Sequence, residues 1–472
     1  MLTKINYNNF DVYTEEIIHP EEFLKLYKKE KVAIAFETEV NNVDKKAFAT
    51  FLAKERHSIN INDGDFIIFR AVKGKNKFEF ISQTLKWGKF HIPKIVIETL
   101  SFNNHESIRF EVVRCCKNEE TTNKLIDLSN LQENVIVLFR ENNLVTLVKK
   151  STIPITLPRF IEITPDLIEL FYLIHGDGHY ATKLYFVNKD VELIRFVMDK
   201  FEEILRIPKE TWRARLLFNH QSDAEIAKKK WQTSLNLKDE QFYPSISKCV
   251  LNTSDKGNLR IVIDKLIVAC VFRNVFDKLQ NPRGKDALYA LNGLLCAEGS
   301  VDINYKGLHR ITLSFSQKEK DMFQKILCES KIDTLSNVLR DRFTISKWGN
   351  FYQFFKIFLR NNITPFSLHR SRCNNALQGF IDHSFTQTMI KYLAVIKNKD
   401  KLDTTELNVR LNHKSNSTLK TLKKEKYQKF INLEGKGGSG NSFKVSITRE
   451  GREFLSLVEN IQEIYNEQYR FG

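Results

Sequence analysis

Two nine-residue stretches decide the fold. The first is Leu170-Phe171-Tyr172-Leu173-Ile174-His175-Gly176-Asp177-Gly178, and the second is Leu291-Asn292-Gly293-Leu294-Leu295-Cys296-Ala297-Glu298-Gly299. Each is an apolar helical run that ends in a small residue, an acid and a glycine. The partial negative charge at a helix C-terminus repels an acid placed there. A divalent cation held between Asp177 and Glu298 would offset this repulsion, so the two stretches predict a metal site.

A single stretch of this kind has a simpler interpretation, a core helix closed by a glycine C-cap with its acid in water. The sequence after each stretch also repeats, which favours the metal site. Residues 184–190 and 313–319 each lead into an amphipathic helix, 191–205 and 320–328. The same order of helix, strand and helix indicates a duplicated unit. Thr164 and Pro165 would start the first helix of this unit, and Asp286 would cap the second.

The paired stretches resemble the LAGLIDADG family of homing endonucleases over residues 153–384. The resemblance implies an α+β fold, a duplicated αββαββα saddle whose motif helices pack on a pseudo-twofold axis. It implies that Asp177 and Glu298 are catalytic and bind Mg²⁺ (or Mn²⁺), with Gly176 and Ala297 as the adjoining metal-binding positions. Four-stranded sheets on each side would then form the surface that contacts double-stranded DNA.

Three positions depart from the family pattern. Tyr172 stands where the family has glycine for close helix contact, and His175 and Cys296 replace the first acid of each motif. Both metal-binding acids are retained. We expect His175 to be packed or hydrogen-bonded in the core instead of binding metal.

The chain is basic, with 73 Lys and Arg against 57 Asp and Glu and a formal net charge of +16. This excess favours nucleic acid over an anionic membrane as partner, because no apolar run of membrane-spanning length occurs. An inert lysine-rich surface is the simpler alternative. None of the seven cysteines forms a CxxC pair, so neither a zinc ribbon nor a disulfide scaffold is supported. Without a signal peptide or splicing residues at its ends, the sequence predicts a cytoplasmic, free-standing protein instead of an intein. The resemblance to two-motif family members implies a monomer.

Composition and pattern divide the chain into five segments. They are a β-rich N-terminal domain (1–114), a connector with a β-hairpin (115–152), two LAGLIDADG halves (153–280 and 281–383), and a C-terminal domain (384–472). Residues 89–112 of the first segment look a little like the AbrB-type DNA-binding element, although a plain β domain is the favoured interpretation. The last segment begins at a change of composition and is expected to fold independently of the second half.

Strand alternation in the duplicated region turns Leu184 and Phe186 inward and places polar and basic side chains on the opposite sheet face. In the first half these are Lys183, Tyr185, Arg213 and Arg215, and in the second half Arg310, Thr312, Arg340 and Arg342. Arginine on the open face of a sheet suits contacts with guanine edges and phosphates, although a solvated face is the simpler alternative. Lys256 and Lys347 each precede a Gly-Asn pair, and members of the family often carry a lysine near the metal-bound water. The resemblance therefore makes these two lysines catalytic candidates.

The C-terminal segment resembles the winged helix-turn-helix family. Three short helices precede a strand, a glycine-rich loop at residues 435–440, a second strand and a last helix. Lys420, Lys423 and Lys424 make its third helix basic, so we expect them to contact DNA. Winged helices also bind proteins, which leaves a second role open.

These features predict a metal-dependent DNA endonuclease that hydrolyses phosphodiesters on both strands. A non-cleaving transcription regulator is the main alternative, because WhiA-type regulators similarly combine a LAGLIDADG-like domain with a helix-turn-helix domain. An RNA maturase is a third possibility. The retained acids favour the enzyme, and the additional domains at both ends favour the regulator.

Overall fold

The computed structural model describes residues 3–7, 10–14, 34–59, 61, 63, 66–116, 125–128, 131, 136–139, 144–148, 155–218, 224–248, 257–339, 341–397, 399, 401–413, 417–435 and 443–470. The chain divides into two units, residues 1–171 with 178–279, and residues 172–177 with 280–472. Both units combine helices with small, mainly antiparallel sheets, which confirms the predicted α+β class. Within these residues, no helix combines the length and apolar character needed to cross a membrane.

The first unit begins with a β-rich region. Its elements are β1 (Thr3–Tyr7), β2 (Phe10–Thr14), β3 (Ile34–Val40), β4 (Phe48–Thr50), α1 (Ala53–Ser58), β5 (Phe66–Lys73), β6 (Asn76–Gln83), β7 (Lys89–His91), α2 (Lys94–Leu100) and β8 (Glu106–Cys116). The main sheet has the order β3-β8-β5-β6, and β4 pairs with β7 separately. Phenylalanines in ring-to-ring contact, among them Phe36, Phe69 and Phe90, fill its core. The strands of the AbrB-like stretch, β7 and β8, therefore lie in different sheets.

Short strands connect this region to the first repeat. They are β9 (Leu125–Asp127), β10 (Ile136–Phe139), β11 (Leu144–Val148), β12 (Ile155–Pro158) and β13 (Phe160–Glu162). The predicted hairpin is present as the antiparallel pair β10 and β11, and β12 extends it to three strands.

The first repeat contains α3 (Pro165–Asp177), β14 (Gly178–His179), β15 (Leu184–Asn188), α4 (Val191–Leu205), β16 (Arg213–Phe218), α5 (Ala224–Leu235), β17 (Ser247–Lys248), β18 (Asn258–Ile263) and α6 (Leu266–Leu279). Helix α3 begins as predicted, because the Thr164 side chain accepts a hydrogen bond from the Leu167 amide (3.2 Å) and Pro165 follows the cap. The sheet order is β14-β15-β18-β16-β17. Leu184 and Phe186 are fully buried on one face of this sheet.

The second repeat contains α7 (Lys285–Glu298), β19 (Gly299–Asn304), β20 (Gly307–Ser314), α8 (Lys320–Glu329), β21 (Asn337–Val338), β22 (Arg342–Ile345) and α9 (Trp348–Arg360), followed by α10 (Arg370–Ile381). Its sheet order is β19-β20-β22-β21. Apart from the two-residue edge strand β17, each sheet therefore has its strands in the order first, second, fourth and third. The cap of α7 differs from the prediction, since Gly284 is the N-cap and Asp286 lies in the first turn.

The C-terminal region contains α11 (Ser384–Lys397), β23 (Leu402–Asp403), α12 (Thr404–Arg410), α13 (Ser417–Leu422), α14 (Glu425–Gln428), β24 (Ile431–Glu434), β25 (Lys444–Ile447) and α15 (Arg449–Arg470). Its three strands form an antiparallel sheet in the order β23-β25-β24. The third helix of the sequence prediction is divided into α13 and α14. The winged-helix assignment stays a prediction.

The second repeat and the C-terminal region share one aromatic core. Trp348 of α9 contacts Phe385, Phe430 and Phe454, and its indole Nε1 donates to Thr386 Oγ1 (2.8 Å). The predicted boundary at residue 384 therefore separates two parts that pack together within one unit.

Candidate functional site

The ends of the two motif helices lie against each other. Gly176 of α3 faces Ala297 and Glu298 of α7, and a Cβ built on Gly176 would lie 2.5 Å from the Cβ of Ala297. It would also lie 3.3 Å from the Cγ of Glu298. Glycine is thus required for this close approach, and the predicted acids Asp177 and Glu298 end two helices that meet at this point.

Glu298 is exposed by surface area, but its carboxyl group is partly shielded from water and lies near other charged groups. Burial raises the pKa of its carboxyl group, the nearby Glu319 carboxylate raises it further, and the Arg372 guanidinium lowers it. Burial without full charge compensation disfavours a carboxylate. This carboxylate would therefore gain from a cation placed beside it.

Arg372 of α10 supplies one positive charge at this helix end. Its Nη1 donates to three successive carbonyl groups of α7, at 3.3 Å from the oxygen of Leu295, 2.5 Å from that of Cys296 and 2.8 Å from that of Ala297. These carbonyls belong to the last turn of the helix, where a cation is favourable. Arg372 thus provides part of the compensation that the sequence assigned to a metal ion.

His175 connects the first motif helix to the second repeat. Its Nε2 lies 3.1 Å from Oε1 of Glu319, and both side chains are largely covered. The hydrogen bond from His175, together with bonds from Ser316, lowers the pKa of the Glu319 carboxyl to about 2. Glu319 is therefore a firmly ionised carboxylate near Glu298. His175 is half-buried and packs its ring nitrogen against Glu319, in agreement with the expected packing role.

The carboxylate oxygens of Asp177 and Glu298 are suitable ligands for a divalent ion. The carbonyl of Ala297, the predicted neighbour, is less suitable. Asp177 and Glu298 provide oxygen ligands of the kind that Mg²⁺ and Mn²⁺ take. The Ala297 carbonyl already accepts a hydrogen bond from Arg372. Within the described ranges, no group of three or more His, Cys, Asp or Glu side chains is arranged to hold a metal. Any ion would therefore depend mainly on the two acids.

Arginine and tyrosine side chains line the open face of the first sheet. The guanidinium carbons of Arg213 and Arg215 lie 4.7 and 4.5 Å from the ring centre of Tyr243, and that of Arg260 lies 4.8 Å from the ring centre of Tyr185. Arg213 and Arg215 were predicted on this face. Arg260 was missed, although alternation within Asn258–Ile263 places it beside them.

Asp264 connects two further groups at the end of this sheet. Tyr243 donates its hydroxyl proton to Asp264, and Lys183 lies 3.7 Å from the same carboxylate. Burial, followed by the hydrogen bond to Asp264, raises the pKa of Tyr243 to about 12. The tyrosine therefore stays a neutral donor and a stacking platform at physiological pH.

Two predicted arginines of the second sheet are paired with aspartates. Arg310 donates to Asp302 from Nε (2.8 Å) and Nη2 (2.5 Å), and Arg342 Nε donates to Asp341 (3.2 Å). Thr312 belongs to this face by register but is only 8% exposed, because it lies in the central strand β20, between β19 and β22. It is thus less accessible than predicted. Arg340 lies outside the described residues.

The lysines predicted to act in catalysis or to contact DNA lie in different parts of the chain. Lys347 is the exposed N-cap residue of α9, and Lys256 lies outside the described residues. Lys420 and Lys424 are exposed, and Lys423 lies over the ring of Phe443 (4.6 Å). Among the described residues, Arg372 lowers the pKa of Glu298, and the sequence argument missed this residue. Ala297 and Arg372 are 75 positions apart in sequence, so no local spacing signal joins them.

Comparison with known proteins gives little further information. No family model matches the chain, and no curated protein matches it. Among solved structures, the solution structure of PHS018 from Pyrococcus horikoshii is 20% identical over 19% of this chain and 98% of that chain. The TM-score is 0.17, which is too low to carry an argument about fold or function.

Proposed function

We propose that this chain is a site-specific DNA endonuclease of the LAGLIDADG homing type. The observation that carries the proposal is the close approach of Gly176 to Ala297 and Glu298. This close approach brings together the ends of two motif helices, and each helix ends in an acid. The proposal expects one catalytic centre at this position. The same four-strand order in both repeats supports the duplicated saddle of that family.

Asp177 and Glu298 are the residues that would hold Mg²⁺ or Mn²⁺. Such an ion, when bound, lowers the pKa of water and neutralises charge that develops on the scissile phosphate. His175 keeps Glu319 ionised beside Glu298, and Arg372 fixes the backbone at the end of α7. Lys347 and Lys256 stay candidates for contact with the phosphate.

Double-stranded DNA would lie on the open faces of the two sheets, with the basic C-terminal region adding affinity. The arginines of both sheets support this arrangement, because arginine contacts both phosphates and guanine edges. The protein would act as a monomer, since both acids belong to one chain.

The test begins with selection of a binding site. The full chain is used to select duplexes from a random DNA library, and the selected duplex is incubated with Mg²⁺ or Mn²⁺. The proposal expects cleavage of both strands by the wild-type chain and by Glu329→Gln, a control on the exposed end of α8. Asp177→Asn and Glu298→Gln should bind the duplex without cutting it.

A non-cleaving DNA-binding regulator is the second candidate, and the contacts of Arg372 favour it. A guanidinium that already satisfies three carbonyls gives the end of α7 a positive charge without metal. The lysines of the C-terminal region also suit a regulator. A selected duplex that is bound tightly and never cut with either ion would favour this candidate over the enzyme.

A further inference from the structure

Two arginines of the first sheet face each other across neighbouring strands. Arg215 of β16 and Arg260 of β18 are direct cross-strand partners in the antiparallel register. Like charges in this position repel each other and destabilise a sheet. An anion bound between or beside the two side chains would offset this repulsion.

The hydrogen-bonding state of this pair points in the same direction. The Nε atoms of Arg215 and Arg260 are both buried and lack a hydrogen-bond partner among the described residues. No carboxylate in the described part of the chain forms an ion pair with either side chain. Asp264, an acid at the end of the same sheet, interacts with Tyr243 and Lys183 instead.

Aromatic rings support both guanidinium groups. Tyr243 lies under Arg215 and Tyr185 under Arg260, with carbon-to-ring-centre distances of 4.5 and 4.8 Å. A guanidinium that stacks on a ring keeps the donors at its edge available for an anion. The side chains are therefore partly ordered before a ligand arrives, which lowers the entropy cost of binding.

The second sheet differs in its charge balance. Arg310 is paired with Asp302 and Arg342 with Asp341, so each arginine charge is offset by a neighbouring carboxylate. A phosphate that approaches Arg310 would also approach Asp302, which repels it. The two repeats, although alike in strand order, thus present different electrostatics on their open faces.

We propose that Arg215 and Arg260 form an anion-binding position for a backbone phosphate of duplex DNA, and that the first sheet supplies most of the electrostatic affinity. The aspartate-paired arginines of the second sheet contribute less to this affinity. This inference rests on the proposed DNA-binding function and assigns unequal roles to the two repeats. Neutralising a phosphate releases counterions, so the proposal predicts a defined salt dependence.

The experiment measures binding of the full chain to a mixed-sequence duplex of about three helical turns, by fluorescence anisotropy across a salt series. The double variant of Arg215→Gln with Arg260→Gln should reduce the slope of log affinity against log salt by about 0.9, the value for one phosphate, and each single variant should reduce it by a part of this. Arg310→Gln should reduce it clearly less. Arg195→Gln removes an equal charge from an exposed position of helix α4, where the side chain donates to the Ser234 carbonyl (2.6 Å), and serves as the control.

The aspartates provide the converse test. Asp302→Asn frees Arg310 from its partner, so the affinity for the same duplex should increase and the salt slope should become steeper by up to about 0.9. The melting temperature gives an independent readout. Arg260→Gln should change it little, because the loss of one of two repelling charges offsets the loss of the contact with Tyr185, whereas a purely structural arginine would lower it clearly.

Equal slope changes for Arg215→Gln and Arg310→Gln would overturn the proposal, as would a lowered melting temperature with an unchanged slope. Arg215→Lys and Arg260→Lys keep the charge and should retain most of the slope, which separates misfolding from loss of charge. If the wild-type chain fails to bind the duplex, the DNA-binding function fails together with this inference. If it binds and the arginine variants behave like Arg195→Gln, only this inference fails.

Discussion

Gly176 and Ala297 are so close that a Cβ atom on the glycine would lie 2.5 Å from the Cβ of the alanine. The contact joins the ends of the two motif helices within one unit of the chain. It also explains why the departure from the family pattern at Tyr172 does not separate the helix ends, because the small residues that precede the acids make the approach. Tyr172 itself is fully buried.

Gly176→Val should destabilise the chain by about 1–3 kcal/mol, the typical cost of overpacking a closely packed contact. Denaturant unfolding measures the change, and the double variant Gly176→Val with Ala297→Gly should recover part of it. An unfolding midpoint equal to that of the wild type in Gly176→Val would contradict the close packing of the helix ends.

Arg372→Ala should destabilise the second unit by about 1.5–3 kcal/mol, because hydrogen bonds from a charged donor to three carbonyls are lost. Added Mg²⁺ should raise the melting temperature of this variant more than that of the wild type, if the ion replaces part of the missing charge. Arg452→Ala, an exposed change on α15, is the control. An Arg372→Ala chain as stable as the control would show that the contacts at the end of α7 contribute little.

The Glu319 carboxyl should make stability depend on acid pH. Its pKa in the folded chain is about 2, below the ordinary value of 4.5, mainly because His175 hydrogen-bonds to it. A depressed folded-state pKa stabilises the fold above the unfolded value, and this stabilisation is lost as the pH falls through the folded value. The stability advantage of the wild type over Glu319→Gln should therefore be complete above pH 4.5 and shrink towards pH 2. Urea midpoints measured across this range check it, and an advantage that grows in acid would contradict it.

Removal of the residues after Ser384 should unfold the second repeat, in contrast to the sequence-based expectation of a separable module. The truncation exposes Trp348 and Tyr352, and it leaves Lys356 without its partners Glu450 (2.6 Å) and Glu453 (2.9 Å). Near-ultraviolet circular dichroism and limited proteolysis of the truncated chain test this. A truncated chain with a native-like tryptophan signal would support the independent module.

Local patterns in the sequence were sufficient to predict several features of the duplicated elements. Apolar alternation identified Leu184 and Phe186 as buried, and Thr164 with Pro165 marked the start of α3, because both signals depend on adjacent residues. The prediction that Asp286 caps α7 was wrong. The chain turns at Gly284, where φ is +52°, and the helix begins one residue before Asp286.

Contacts between distant residues could not be predicted in this way. Arg372 with Ala297 and Lys356 with Glu450 are 75 and 94 positions apart, and periodicity carries no information about which distant groups meet. The electrostatic argument from the sequence assigned the compensating charge near Glu298 to a divalent ion, and that metal site stays a prediction. The structure places the Arg372 guanidinium near Glu298, which no local pattern indicated.

Metal-dependent cleavage of the selected duplex tests the central claim most directly. The account predicts that the full chain cuts both strands with Mg²⁺ and cuts neither strand when the ion is chelated. It also predicts that Asp177→Asn and Glu298→Gln each abolish cleavage while they retain affinity for the duplex. Cleavage that persists in the double variant, or a wild-type chain that binds the duplex tightly and leaves both strands intact with Mg²⁺ and with Mn²⁺, would contradict it.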